Sequence, residues 1–419
     1  MQTQSVLHLT AAMLLAGAFA TAQSPFETKL LDLMERRGVL SAEEITALRA
    51  EAALSTDATC LEQRIGALVA GMQDAAPVNV SHKGRFLLAT ADGKNSLKVG
   101  GMIQARGTGI FNEDAADTLG FAAQRVRITM EGQIFSPEWK YRVQPELAGP
   151  VVSTAGGAST AGFASLTDAW LEWTGSPAFG MRMGQWEVWY SRQQFIGAGQ
   201  QGFVDRWSGL KSFAPAYQTG LMAFGGLGGE KNDLVNWSAN VLNGKGANTA
   251  NQDDTLMGLA RVAVSPFGAV PKYESDLKHG DLRVEAAVNA WTMGHPTLAD
   301  NFECFGADLS AMWHGFAFTG EWHTRSNPTG TPLQHGAFAQ LTWNAIPGEL
   351  DIGLRHGRFE NDNAASGAAE VVETTAVLCW YVSGPELKLQ LDAGQMTTTS
   401  VAGSEADQLL VRLQAQILF

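Results

Sequence analysis

Charged residues in this sequence recur at every second position. Arg125 and Arg127 flank Val126, and Lys140 and Arg142 flank Tyr141. Side chains two apart on an extended strand share one face, so each pair sets two cations side by side. By the same parity Lys98, Arg106, Glu146, Asp168, Glu172 and Arg182 belong to that face. Arg125, Arg127, Arg142 and Arg182 then form a basic wall, and Glu146 and Glu172 oppose it. Such an array steers ions and breaks no bonds. The same residues also read as salt bridges that hold a polar wall together. Signals for covalent chemistry are missing. The eight His residues form no HExxH, there is no GxSxG, and Cys60, Cys304 and Cys379 show neither CxxC nor zinc spacing. Neither a catalytic residue nor a metal or cofactor is expected.

The period of two runs through the elements that must position these side chains. "RVRITMEGQ" puts Val126, Ile128 and Met130 on one face and the polar residues on the other, and "WKYRVQPEL" and "ELKLQLDAG" repeat the scheme. Alternation of this kind marks half-buried antiparallel strands. Sixteen are expected: 96–106, 121–135, 138–148, 166–174, 179–189, 217–226, 232–243, 254–265, 281–291, 304–312, 316–324, 335–344, 348–358, 371–382, 386–395 and 407–419. Their links alternate in length. Tight turns such as "SPE", "GSPA" and "SGP" alternate with long links at 107–120, 149–165, 190–216, 244–253, 292–303, 325–334, 359–370 and 396–406. The link 266–280 is the exception, since it is long where a turn is due. An even strand number, with short turns at one end and long loops at the other, predicts an all-β transmembrane barrel. A Greek-key sandwich has no reason to sort its loops so.

The composition agrees. Charged residues are 17% of 419, mean hydropathy is −0.05, and beyond the first residues no apolar run is long enough for a membrane helix. A barrel wall needs apolar residues only at alternate positions. Trp139, Trp173 and Trp343 lie beside turns, where aromatic girdles are expected. A net charge of −13 argues against a nucleic-acid partner.

Residues 1–22 read as a signal peptide, with an apolar run from Leu9 to Ala20 and an A-x-A site at Ala20-Thr21-Ala22. Residues 23–76 carry a helical period. Ser41 and Glu44 form a capping box, and Leu61, Ile65, Leu68 and Met72 a short coiled-coil seam. Residues 77–95 are a linker in which "GRFLLAT" is a short strand, and 96–419 is the barrel. The last strand ends "LLVRLQAQILF", which predicts Leu409 to Phe419 facing lipid and Arg412, Gln414 and Gln416 facing inward.

The stretches "FAAQRVRITMEGQIFSPEWKYRVQPELAG", "DAWLEW", "GMRMGQWEVWYSRQQF" and "QGFVDRW" resemble the phosphate-selective porin O and P family. The likeness is close over 121–206 and faint elsewhere. It implies a trimeric sixteen-stranded outer-membrane porin with a periplasmic N-terminal segment, passing small solutes or anions. It also implies a constriction by the long loop 190–216, which holds Arg192, Asp205, Arg206 and Lys211. Phe419 resembles the terminal signal read by the outer-membrane barrel assembly machinery. The chain is more acidic than anion-selective relatives and lacks their dense lysine cluster. Two other readings stay open: a structural barrel tethered to peptidoglycan through its helix, and a barrel hydrolase with a dispersed site.

Overall fold

The computed structural model describes Thr46, 78–82 and 84–419, apart from 149–150, 154–158, 162–164, 230, 232, 295–300, 327–333 and 363–367. The chain divides into two units, Met1–Pro77 and Val78–Phe419. The expectations for the signal peptide and the helical segment lie outside the described residues, and the second unit is the subject below.

Eighteen strands share one sheet. Sixteen of them close a barrel: β1 (Ser96–Asn112), β2 (Thr118–Ile134), β3 (Ser136–Glu146), β4 (Ser165–Ser176), β5 (Phe179–Glu187), β6 (Tyr217–Leu227), β7 (Val235–Leu242), β8 (Met257–Val264), β9 (Arg283–Met293), β10 (Phe302–Trp313), β11 (Phe316–Ser326), β12 (Gln334–Ile346), β13 (Leu350–Asn361), β14 (Ala368–Ser383), β15 (Leu387–Ser400) and β16 (Glu405–Leu418). Each strand pairs antiparallel with the next, and β16 returns to β1, Gln408 opposite Asn112 and Leu418 opposite Met102. All sixteen expected strands are present. Closure gives every barrel strand a neighbour on both sides, as a bilayer requires.

Alternation sorts the two faces. On β13, Ile352 and Leu354 are exposed outward while Asp351 and Arg355 are buried inward. On β15, Leu389 and Leu391 face out, and Lys388, Gln390 and Asp392 face in. Trp139 and Trp173 are cross-strand partners at the short-turn end. Trp343 stacks on Phe316 at the same end, with centroids 6.0 Å apart. These rings form the expected girdle. A bulge between Gln104 and Ala105 reverses the parity of β2. Phe121 therefore points outward although Arg125 and Arg127, also odd-numbered, point inward.

The strands are longer than their apolar alternation. The link expected at 396–406 is a tight turn between Ser400 and Glu405, and that expected at 107–120 shrinks to 113–117. Beyond the bilayer both faces of a strand meet water, so the period fades before the pairing does. The exception 266–280 is real: β8 and β9 are joined by 265–282, at the short-turn end.

"FLLA" is a strand, Phe86–Ala89, hairpinned to Asn79–His82. It pairs with Ser96–Val99 of β1, just past the point where β16 ends. Phe419 sits at that junction. Its N–H donates to the Gly101 carbonyl at 3.1 Å, and its own carbonyl accepts from Gly101 N–H at 2.7 Å. A Cβ on Gly101 would lie 2.6 Å from the Phe419 ring and 2.8 Å from the Arg127 carbonyl. Gly101→Val should therefore open the seam at its last rung. The expected result is loss of the folded, heat-modifiable band on gel electrophoresis. A band equal to wild type would show that the closure tolerates a side chain there.

Candidate functional site

The segment 188–216 between β5 and β6 turns into the barrel instead of running over it. Ser191 caps a short helix, α1 (Arg192–Phe195), by accepting from Gln194 N–H. Val188, Tyr190, Ile196, Phe203, Val204, Trp207, Leu210 and Phe213 are buried. A buried loop must find partners for its backbone groups, and the barrel wall provides them. Lys388 Nζ donates to the Gln201 carbonyl at 2.6 Å and Gln390 to the Gly202 carbonyl at 2.8 Å. Gln416 donates to the Gly199 carbonyl at 3.0 Å. Arg355 reaches the Asp205 carbonyl at 2.8 Å, Arg106 that of Val204 at 3.1 Å, and Arg261 that of Tyr190 at 3.1 Å. The Trp207 and Phe213 rings lie flat where Gly336 and Gly357 leave no side chain.

A second segment enters from the opposite mouth. In 265–282, Val270, Glu274, Ser275 and Asp276 are buried. The Glu274 carboxylate accepts from Gly202 N–H at 2.8 Å and from Gln193 Nε2 at 3.3 Å. Its backbone N–H donates to the Gln200 carbonyl, and its carbonyl accepts from Thr342 Oγ1 at 2.6 Å. Arg192 donates to the Val270 and Pro271 carbonyls. The two segments are thus clasped together and cover the inward faces of β9–β16, where Asp308, Glu321, His323, Asp351 and Asp392 are buried. Glu274→Ala should loosen the clasp. Single-channel conductance is expected to rise. An unaltered conductance would mean that the clasp does not set the width.

The polar face left accessible lies along β2 and β3. Arg127 pairs with Glu146 at 2.7 Å, and Arg142 with Glu131 at 3.2 Å and Asp168 at 3.5 Å. Arg125 donates to Gln104 Oε1 at 2.8 Å and pairs with Asp205 at 3.1 Å. Lys140 lies 3.6 Å from Glu172. On β2 and β3 these bases are more exposed than their acid partners, except at Asp205: Lys140 is 44% exposed against 8% for Glu172, and Arg142 28% against 12% for Asp168. Lys98 is exposed at the short-turn end of β1, opposite Glu131.

Other expected site residues are placed elsewhere. Arg106 is buried beneath the loop, and Arg192 is buried against Glu285 at 3.4 Å. Both hold the loop in place and are covered by it. Arg182 is buried against Glu172 at 2.5 Å, with its guanidinium 4.1 Å from the Trp170 ring. Asp168 and Arg142 are its other charged neighbours. Lys211 is an exposed loop residue.

Asp205 and Arg206 join loop to wall. The Asp205 carboxylate lies 2.6 Å from Arg106, 3.1 Å from Arg125 and 3.5 Å from Arg412. Burial pushes its pKa up, but the three guanidiniums outweigh that and hold it below the usual carboxylate range. Arg206 donates to the carbonyls of Gln193, Gln194 and Ile196, closing α1. Burial opposes its charge, yet Glu187 at 2.6 Å holds the guanidinium above its ordinary value. Two contributors were not expected as site residues. Arg85 reaches Glu131 at 2.6 Å from the leading hairpin, and Arg412 was expected inward but not as a partner of a loop acid.

A closed sixteen-stranded barrel with an apolar exterior, aromatic bands and a polar lumen narrowed by a folded-in loop is an outer-membrane porin, a channel for small solutes. The sequence model of the phosphate-selective porin O and P family matches residues 98–299 of the chain. Three solved structures share its fold. The outer membrane channel DcaP of Acinetobacter baumannii is 12% identical, with 78% of this chain and 97% of that one covered and a TM-score of 0.53. An anion-selective porin from Comamonas acidovorans is 10% identical, covering 77% and 100%, at 0.53. OmpF of Salmonella typhi, in complex with daunomycin, is 11% identical, covering 77% and 98%, at 0.52. At these identities the likeness is one of fold. No curated protein matches the chain. Family and fold are those of a channel and not of an enzyme.

Proposed function

We propose that the protein is a passive diffusion porin with a modest preference for anions, its solute path running along β2 and β3. The observation that carries this reading is the asymmetry of the wall pairs. Along β2 and β3 Arg127, Lys140 and Arg142 are each more exposed to the lumen than the acids they pair with, so a passing solute meets these bases before Glu146, Glu172 and Asp168. Selectivity in a pore is set by width and by the charges at its narrowest part. Because most of these bases are paired, the field is weaker than that of bare cations. A strict phosphate channel is therefore not expected, despite the family's name.

The barrel would work as a homotrimer in the outer membrane. Residues 23–76 would stand in the periplasm as its helical appendage, and Phe419 would serve recognition during assembly. The test is reversal potential in planar bilayers across a KCl gradient. Chloride should permeate more readily than potassium, and equal or reversed permeability would overturn the anion preference. A purified barrel that carries no current would overturn the porin reading itself.

A further inference from the structure

The segment 265–282 does more than wedge the loop. We infer that it supplies the charge that sets the pore's ion preference at the short-turn mouth, through Lys272; this rests on the porin reading above. Lys272 is exposed although Glu274, Ser275 and Asp276 beside it are buried. Its ammonium lies 3.9 Å from the centroid of the Phe195 ring and 5.7 Å from that of Trp189, both on the inward loop. Ring faces attract a cation without cancelling its charge, so the outer side of the ammonium stays available to an anion.

What distinguishes Lys272 from the bases of β2 and β3 is the lack of a carboxylate. Arg85, Arg125, Arg127, Lys140 and Arg142 each have one. Among the described residues none pairs with Lys272. The charged groups that face it are Arg182 on β5, Arg192 on the loop, Glu285 on β9 and Glu172 on β4. Both acids are already engaged, Glu172 by Arg182 and Lys140, and Glu285 by Arg192 and Arg261. The Arg182 guanidinium lies over the same Trp189 ring at 4.9 Å. An anion arriving at Lys272 therefore relieves the repulsion between two cations that share one aromatic surface.

Its surroundings also make this charge adjustable. The protein that surrounds it inside the barrel limits its hydration, and this, then Arg182 and Arg192, push the Lys272 ammonium down to about 8. The lysine is thus charged near neutrality and loses its charge in mild alkali, while the arginines of the wall keep theirs.

The experiment compares the full chain with Lys272→Met and Lys272→Arg in planar bilayers. Reversal potentials are read in a KCl gradient at about pH 6.5 and about pH 9.5, either side of the lysine's value. Wild type should lose severalfold anion preference between the two. Lys272→Arg should keep the high preference at both, and Lys272→Met should show the low one at both. A Lys272→Met channel that conducts and titrates like wild type would overturn the inference while leaving the porin reading intact. Absence of current from wild type would overturn the porin reading, and the inference with it.

Discussion

Replacing Arg125, Arg127 and Arg142 together by Gln should move the reversal potential through zero to the cation side. The three guanidiniums line the accessible face of β2 and β3, and their partners Asp205, Glu146, Glu131 and Asp168 would remain. In a wet lumen, a unit charge a few ångströms from a passing ion is worth roughly 1 kcal/mol. Three such losses, after screening by salt, change the anion-to-cation ratio by about tenfold. Gln retains a hydrogen-bonding amide on a shorter stem, so the strand register should survive, and heat-modifiable mobility on a gel checks that it does. An unchanged reversal potential from a folded barrel would mean that ions pass elsewhere.

The second large effect is expected at Asp205. One carboxylate gathers Arg106 from β1, Arg125 from β2 and Arg412 from β16. Asp205→Asn removes the one carboxylate these three cations share; among the described residues Arg412 keeps its pair with Asp392, and Arg106 and Arg125 pair with no other acid. Breaking one side of such a part-buried cluster costs about 1 kcal/mol or more. That energy falls on the loop, because the wall residues are fixed by their strands. Open-channel current should become larger and noisier, and anion preference should rise. The sign of the pH effect follows from the lowered pKa of Asp205. The clasp is complete above the unfolded carboxyl's value, about 4, and fades as pH falls through the lower folded value. Wild-type current should thus be quiet at neutral pH and noisy only in strong acid, while Asp205→Asn is noisy throughout. Identical traces from the two proteins would remove Asp205 as the anchor.

The wall was legible in the sequence because a strand's side chains obey a period of two. Arg125, Arg127, Lys140 and Arg142 could be assigned a face from their spacing alone, and the register pairs them with Gln104, Glu146, Gln133 and Glu131 of the neighbouring strands. The loop's length and position were legible as well, since 188–216 is the longest link. Its partners were not. Asp205 draws on residues about a hundred and about two hundred positions away, and nothing local marks such a meeting. Parity says that a residue points inward and does not say whether water or a loop awaits it there. Arg106 reads the same in sequence as Arg125, yet its guanidinium binds the Val204 carbonyl of the loop folded inside the barrel. The irregular link between β8 and β9 did carry a signal. Its excess length at the short-turn end was visible, and the structure gives the reason, a second segment held inside the barrel by Glu274.

The leading hairpin has a mechanical meaning. The chain ahead of Val78 enters it at Asn79, which lies opposite Ala89, and Ala89 lies opposite Ser96, the far end of β1. A pull on that chain is therefore borne first by the short register of Asn79–His82 against Phe86–Ala89. Once those rungs slide apart the tether lengthens, and only then does tension reach the β1–β16 junction. The barrel is thereby shielded from forces transmitted through its N-terminal segment, with the hairpin as slack that gives way first.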